Sequence, residues 1–175
     1  MIETKVILVD ESDSEIGTME KLEAHQKGLL HRAFSILVFN SKHELLIHKR
    51  ADGKYHSSNL WTNTCCSHPA PGETIEAAAH RRLREEMGFD CPMDSQFHFI
   101  YRTELENNLI EYELDHVLLG FYEGDVFPNP EEVSDFRWVA LEQLQQEMQA
   151  DPAKFTFWFK LIVENHIEKL RLPVL

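Results

Sequence analysis

The chain has 175 residues, with 17 Lys/Arg against 30 Asp/Glu, a formal net charge of −13 and 43% hydrophobic residues. This composition suits one globular domain with a substantial core, and the acidity argues against nucleic acid or an anionic membrane as the partner. No apolar run approaches the roughly 20 residues of a membrane-spanning helix, and Met1-Ile2-Glu3-Thr4-Lys5 predicts no secretory signal.

Taken in chain order, residues 6–9 form an apolar strand candidate ended by an acidic turn over 10–15. Residues 33–39 and 44–50 read as two strands joined through Asn40-Ser41-Lys42-His43, which is turn chemistry, so a hairpin is expected. In residues 74–87 the apolar Ile75, Ala79, Leu83 and Met87 recur every four positions and Gly88 follows, predicting an amphipathic helix with a glycine stop. Residues 97–103 and 111–122 read as strands separated by a polar turn, and 136–139 as a last strand. Two closing helices are expected over 141–149 and 152–170. The irregular interleaving predicts an α/β (α+β) fold, a mixed sheet between helices, in a single domain over 1–175.

The charge is uneven. Between Lys21 and Arg84 lie ten Lys/Arg against five Asp/Glu, together with seven of the ten histidines. A basic, histidine-rich third inside an acidic chain suggests a site for a small anion, with a metal; the alternative is a set of solvated lysines. The three cysteines, Cys65, Cys66 and Cys91, read as reduced thiols and predict a cytoplasmic protein.

Three patterns carry chemistry. Gly72-Glu73, then Arg81-Arg82-Leu83-Arg84-Glu85-Glu86-Met87-Gly88-Phe89, resembles the Nudix signature, whose Glu cluster holds magnesium against a diphosphate. Ser67 stands where its leading glycine is expected, and Arg82 where the first Glu of the cluster is expected. Arg82 removes a hard oxygen ligand, so the helix reads as a Nudix scaffold with its hydrolytic metal site dismantled. Read without the motif, it is a surface helix with charge pairs such as Arg82–Glu86. Cys66-Ser67-His68 places a thiol two residues from an imidazole, a pairing suited to proton transfer or metal binding as well as to simple burial. Glu111 and Glu113 alternate to one face of a strand, where they repel unless one is protonated or a cation lies between them. With His25, His31 and His68 they make an N3O2 set for a divalent ion, leaving a sixth octahedral position open.

Together these segments, with Leu30-His31-Arg32-Ala33-Phe34-Ser35, Trp61-Thr62-Asn63-Thr64-Cys65-Cys66-Ser67-His68-Pro69, Glu111-Tyr112-Glu113-Leu114-Asp115 and Phe157-Trp158, resemble the type I isopentenyl-diphosphate delta-isomerases, Nudix superfamily members by fold. The resemblance spans about residues 4–170. It implies reversible interconversion of isopentenyl and dimethylallyl diphosphate in isoprenoid biosynthesis. It implies that His25, His31, His68, Glu111 and Glu113 bind a first metal (zinc, manganese or magnesium), and that Glu86 with the Cys66 carbonyl holds magnesium against the diphosphate. Cys66 and Glu113 become the catalytic pair with Tyr101 beside the glutamate. Lys21, Arg50, Lys54, Ser67 and Arg82 contact the diphosphate, and Trp158 covers the hydrocarbon. The expected partner is a small isoprenoid diphosphate, with the chain a monomer or weak homodimer. His56-Ser57-Ser58-Asn59-Leu60 departs from the Pro-Gly-containing loop common in the family, which leaves that loop's geometry open. The rival readings are a Nudix hydrolase of a small diphosphate compound and a non-catalytic metal-binding module.

Overall fold

The computed structural model describes residues 4–170. Strands β1 (Lys5–Val9) and β2 (Glu15–Glu20) pair antiparallel around a turn in which Asp10 Oδ1 accepts from the Ser12 and Ser14 amides. Helix α1 (Lys21–Lys27) follows at once, with the Glu20 carboxylate accepting from the Glu23 amide and Gly28 ending it at φ 63°. Next come β3 (His31–Phe39), β4 (Glu44–Arg50), β5 (Trp61–Thr62), β6 (Cys65–Ser67) and helix α2 (Ile75–Met87). The chain then runs through β7 (Met93–Glu104), β8 (Ile110–Phe121), β9 (Val133–Ala140), α3 (Leu141–Ala150) and α4 (Phe157–His166).

The described strands make one nine-stranded mixed sheet, as the sequence predicts. Its central strand β3 pairs in parallel with β8 along its whole length, His31 opposite Glu113 through Phe39 opposite Phe121. The expected β3–β4 hairpin closes only at its tip, Phe39 opposite Leu45, and then forks open. The segment running from Trp61 to Ser67 wedges the fork. Its β5 pairs with β4 (His48 opposite Thr62) and its β6 with β3 (Ser35 opposite Cys66). Between them the Thr64 hydroxyl donates to Leu46 O at 2.6 Å and accepts from the Val38 amide at 2.9 Å, replacing ladder bonds that the two strands would have made with each other. Asn63 Nδ2 ties the wedge down by donating to Ile36 O and Cys65 O. The wedge therefore presents Cys66 from the middle of the sheet.

Period-2 alternation divides the core between the two faces of the sheet. Leu37, Phe39, Leu45 and Ile47 pack with α3 and α4 through Leu144, Phe159 and Ile162. Phe34, Ile36, Val38 and Leu46 pack against α2 through Ala78, Ala79, Leu83 and Met87. Fully burying a side chain such as Leu83 contributes roughly 1.5–3 kcal/mol. The Thr74 hydroxyl caps α2 by accepting from the Ala77 amide, and Gly88 at φ 75° ends it, as the glycine stop predicts.

Several elements differ from the sequence expectation. Strand β2 and helix α1, absent from the predicted elements, follow the acidic turn; both are short and lack a periodic apolar stripe. The expected helix over 152–170 is broken. Pro152–Lys154 is a single 3₁₀ turn, Phe155 and Thr156 are extended, α4 begins at Phe157, and Ile167–Leu170 closes as 3₁₀. Thr156 is held outside the helix by its hydroxyl contact with Thr62 at 2.9 Å and by its amide bond to Trp61 O.

Candidate active site

The open fork leads into a cavity lined by twelve of the predicted residues: Lys21, Arg50, Lys54, Cys66, Ser67, His68, Arg82, Glu86, Tyr101, Glu111, Glu113 and Trp158. His25 and His31 stand behind its wall, each 0% exposed. Strand register sets the arrangement: β3 places His31 beside Glu113 of β8, and β7 places Tyr101 opposite the same Glu113.

The ligand atoms of His25, His31, His68 and Glu113 all lie within 4.8 Å of one another. Their hydrogen bonding fits a cation. His25 Nδ1–H donates to Lys21 O at 2.7 Å and His31 Nδ1–H donates to Leu29 O at 2.9 Å. A neutral imidazole that donates from Nδ1 presents a lone pair at Nε2. Both Nε2 atoms are buried without a hydrogen-bond partner, and His31 Nε2 stands 3.3 Å from Glu113 Oε1. Lone pairs aimed at a carboxylate oxygen repel unless a positive ion lies among them, and a ring N–H fixed on a backbone carbonyl is how metal-bound histidines are held. Burial pushes His25 down and His68 down to about 4, so both rings are neutral at pH 7 and available as ligands.

Glu113 and Glu111 share a face, as their alternation predicts, and are driven apart electrostatically. Burial alone would raise Glu113, but the His68 and His31 rings beside it hold it well below the usual carboxylate range. One oxygen lies 2.9 Å from His68 Nε2, and the other accepts from the Tyr101 hydroxyl at 2.8 Å. Glu111 is pushed well above that range by burial and by the Glu113 charge, and its Oε2 has no partner. Glu111 is grouped with His25 and His56, apart from the set that holds Glu113.

Burial pushes the Cys66 thiol above its ordinary value against the opposing pull of Arg50, so at neutral pH it keeps its proton. Glu86, raised to about 7 by burial and by Glu132, receives the Cys65 thiol at 3.5 Å and Arg82 Nη2 at 3.2 Å. Arg82 also reaches Glu132 at 2.7 Å and Glu85 at 2.6 Å, so the arginine at the altered signature position bridges carboxylates.

Four cations converge here, and their crowding shows at Lys21, which is lowered by burial and by the Lys54, Arg50 and Arg82 charges. Arg50 Nε and Arg82 Nε are buried donors without partners, which an anion in the cavity would satisfy. Trp158 is 3% exposed, anchored by its indole N–H to Asn63 Oδ1 at 3.2 Å, with the Arg50 guanidinium 5.6 Å over its ring.

Sequence reading missed four cavity or near-cavity groups. His56 and Tyr55 line the cavity from the divergent loop, Glu132 pairs with Arg82 from the turn before β9, and fully buried His48 stands with Nε2 3.4 Å from Glu86 Oε1. None follows a spacing rule, because each arrives through tertiary packing. A tyrosine and a histidine following Lys54 in an otherwise polar loop are the one local signal. The divergent loop itself is firmly tied: the Ser57 amide donates to Glu106 at 2.6 Å, and Ser57 and Asn59 adopt positive φ.

A mixed sheet forked by a wedge, with a Glu-bearing helix beside the cavity, defines a Nudix-type domain, and residues 29–159 match the NUDIX domain family. The fold resembles the crystal structure of DR0079 from Deinococcus radiodurans, with a TM-score of 0.76, 19% identity, and 93% and 99% of the two chains covered. It also resembles the MutT protein from Methanosarcina mazei Go1, with a TM-score of 0.66, 18% identity, and 82% and 96% covered. Within that class the sequence is 54% identical over 160 residues to isopentenyl-diphosphate Delta-isomerase 2 of Photorhabdus laumondii, covering 91% of this chain and 90% of that one. It is 51% identical over 166 residues to isopentenyl-diphosphate Delta-isomerase 1 of Aromatoleum aromaticum, covering 95% and 94%. The chain belongs to the isopentenyl-diphosphate Delta-isomerase family.

Proposed function

We propose that this chain interconverts isopentenyl and dimethylallyl diphosphate by moving one double bond, with Cys66 and Glu113 as the proton-transfer groups. The observation that carries the reading is the convergence of Cys66 and Glu113 in one cavity with the cationic Lys21, Arg50, Lys54 and Arg82, beside the histidine cluster that shares Glu113. A proton given to the terminal alkene carbon draws the double-bond electrons into a C–H bond and leaves a tertiary cation. Loss of a proton from the neighbouring methylene to the carboxylate returns an electron pair as the new double bond. From the resting state the proton leaves Cys66 and another arrives on Glu113. The reverse direction, or exchange with water, restores the start.

Such a cation is trapped by water unless the site excludes it. Trp158, buried and fixed by Asn63, supplies an aromatic face that favours positive charge by roughly 2 kcal/mol or more when desolvated. Tyr101 holds Glu113 Oε2 in place from the opposing strand. Lys21, Arg50, Lys54, Ser67 and Arg82 bind the diphosphate, and Arg82, standing where a hydrolase has a metal-binding Glu, favours holding that group over cleaving it.

His25, His31, His68, Glu111 and Glu113 would hold one divalent ion, manganese or zinc by their N/O character and also magnesium; Glu86 and the Cys66 carbonyl would hold magnesium with the diphosphate. The first ion, if bound there, would fix the Glu113 carboxylate and tune its proton affinity, and the second would neutralise diphosphate charge. The chain is read as a monomer or weak homodimer acting as a single domain over 1–175. No described helix is long and apolar enough to cross a membrane, and the three thiols are free, which fits the cytoplasm. Incubation with isopentenyl diphosphate and magnesium tests the reading. An acid-labile allylic product is expected, and release of inorganic phosphate without it would sustain the hydrolase instead.

A further inference from the structure

We propose that His56 is an additional ligand of the ion held by the histidine–glutamate group, filling its sixth position and closing the site to water. This rests on reading that group as the seat of a resident divalent ion. Two sets of ligand atoms meet at one buried nitrogen: His25, His31, His68 and Glu113 form one, and His25, His56 and Glu111 form the other. His25 Nδ1 is committed to Lys21 O, so only its unpartnered Nε2 can serve both sets. Glu111 and His56 are neighbours at that nitrogen, so an ion that draws in Glu111 would draw on His56 as well. Its Nε2 stands 3.9 Å from Glu111 Oε1, and its ring stacks on His25 at 5.8 Å between centroids.

The His56 ring has the features of a ligand. It is 5% exposed, although it sits in a loop, and Nδ1 is engaged by the Ser57 hydroxyl at 3.1 Å, leaving Nε2 toward Glu111. The loop is fixed from both ends: Glu106 accepts from the Ser57 amide, and Arg50 Nη2 donates to His56 O. Tyr55 packs edge-on against both His25 and His56. Four imidazoles and two carboxylates make an N4O2 set, which suits a six-coordinate first-row ion and leaves no open position. An ion closed in this way fixes Glu113 and takes neither substrate nor water, in contrast to an ion with a vacant site.

Cobalt(II) is the probe. Each imidazole bound to cobalt gives a hyperfine-shifted, solvent-exchangeable ring N–H signal in the proton spectrum, so the spectrum reads the number of coordinating histidines. The native chain with one equivalent of Co²⁺ is compared with His56→Asn, which keeps a donor toward Ser57 but lacks the second nitrogen, and with His56→Gln. One fewer shifted N–H is expected in both variants, with Co²⁺ affinity lower by at least the roughly tenfold that losing an outer-shell partner costs. The signals that remain show that the other histidines, and hence the fold, are in place. If the variants match the native chain in signal number and affinity, His56 is not a ligand and the inference is overturned while the site reading stands. If the native chain itself gives no shifted N–H with Co²⁺, both fall.

Discussion

The Tyr101 hydroxyl donates to Glu113 Oε2 at 2.8 Å from the directly opposed position on the neighbouring strand. His68 Nε2 lies 2.9 Å from the other oxygen, so Glu113 is held from both sides. Tyr101→Phe removes one grip and keeps the ring. A hydrogen bond to a charged group is worth about 1.5–3 kcal/mol, so kcat is expected to fall roughly ten- to hundredfold. Steady-state kinetics at saturating substrate checks this; an unchanged kcat removes Tyr101 from the proton-transfer apparatus.

Burial holds the proton on Cys66. Since only the thiolate reacts with alkylating reagents, Cys66 is expected to be modified at pH 8 more slowly than free cysteine, whose pKa is about 8.5. Its rate should continue to climb as pH rises past the point where free cysteine levels off. Mass spectrometry after timed iodoacetamide treatment reads both rates, and rapid modification of Cys66 at pH 7 would contradict the protonation pattern of the catalytic pair.

Arg82 is 19% exposed on its side chain and lies 3.2 Å from Glu86 and 2.7 Å from Glu132. Arg82→Ala strands two carboxylates, and in metal-free buffer a loss on the order of 3 kcal/mol is expected from denaturant melts. The same variant should raise KM for the diphosphate substrate more than it lowers kcat. A neutral effect on both stability and KM would show that the arginine is a surface charge.

Glu73 accepts two hydrogen bonds from Arg81, each 2.7 Å, and one from the Ala70 amide. These hold it below its ordinary 4.5 against the opposing effect of partial burial. A depressed folded-state value means the contribution to stability is complete above about pH 4.5 and is lost as pH falls through the lower folded value. The Tm difference between the native chain and Glu73→Gln is therefore expected to be largest near pH 6 and to shrink toward pH 3. A difference independent of pH would exclude the ion pair as its cause.

Gly88 ends α2 at φ 75°, and a Cβ there would collide with the Phe127 carbonyl oxygen. Gly88→Ala combines left-handed strain with that clash and is expected to cost about 1–3 kcal/mol in denaturant melts. Because Glu86 lies two residues earlier on the same turn, magnesium dependence should shift as well.

Legibility followed the reach of the signal. Cys66, His68, Glu86, Glu111 and Glu113 were readable because dense local motifs and strand alternation fix their relative placement over a few residues. The mixed sheet was readable from apolar runs such as 33–39, which are buried on both faces. The fork was not. Residues 33–50 look like an ordinary hairpin, and only the Thr64 hydroxyl, bonding to both strands, shows why they part. His48, His56 and Glu132 are hidden for the same reason, since no short-range rule relates them to their distant partners Glu86, Glu111 and Arg82.

The central claim is proton transfer to carbon without loss of phosphate, and turnover of isopentenyl diphosphate in heavy water tests it most directly. The account predicts deuterium in a methyl group of dimethylallyl diphosphate, no inorganic phosphate or monophosphate, and no incorporation with Cys66→Ala or Glu113→Gln. Phosphate release without deuterated allylic product, or incorporation undiminished in Cys66→Ala, would contradict it.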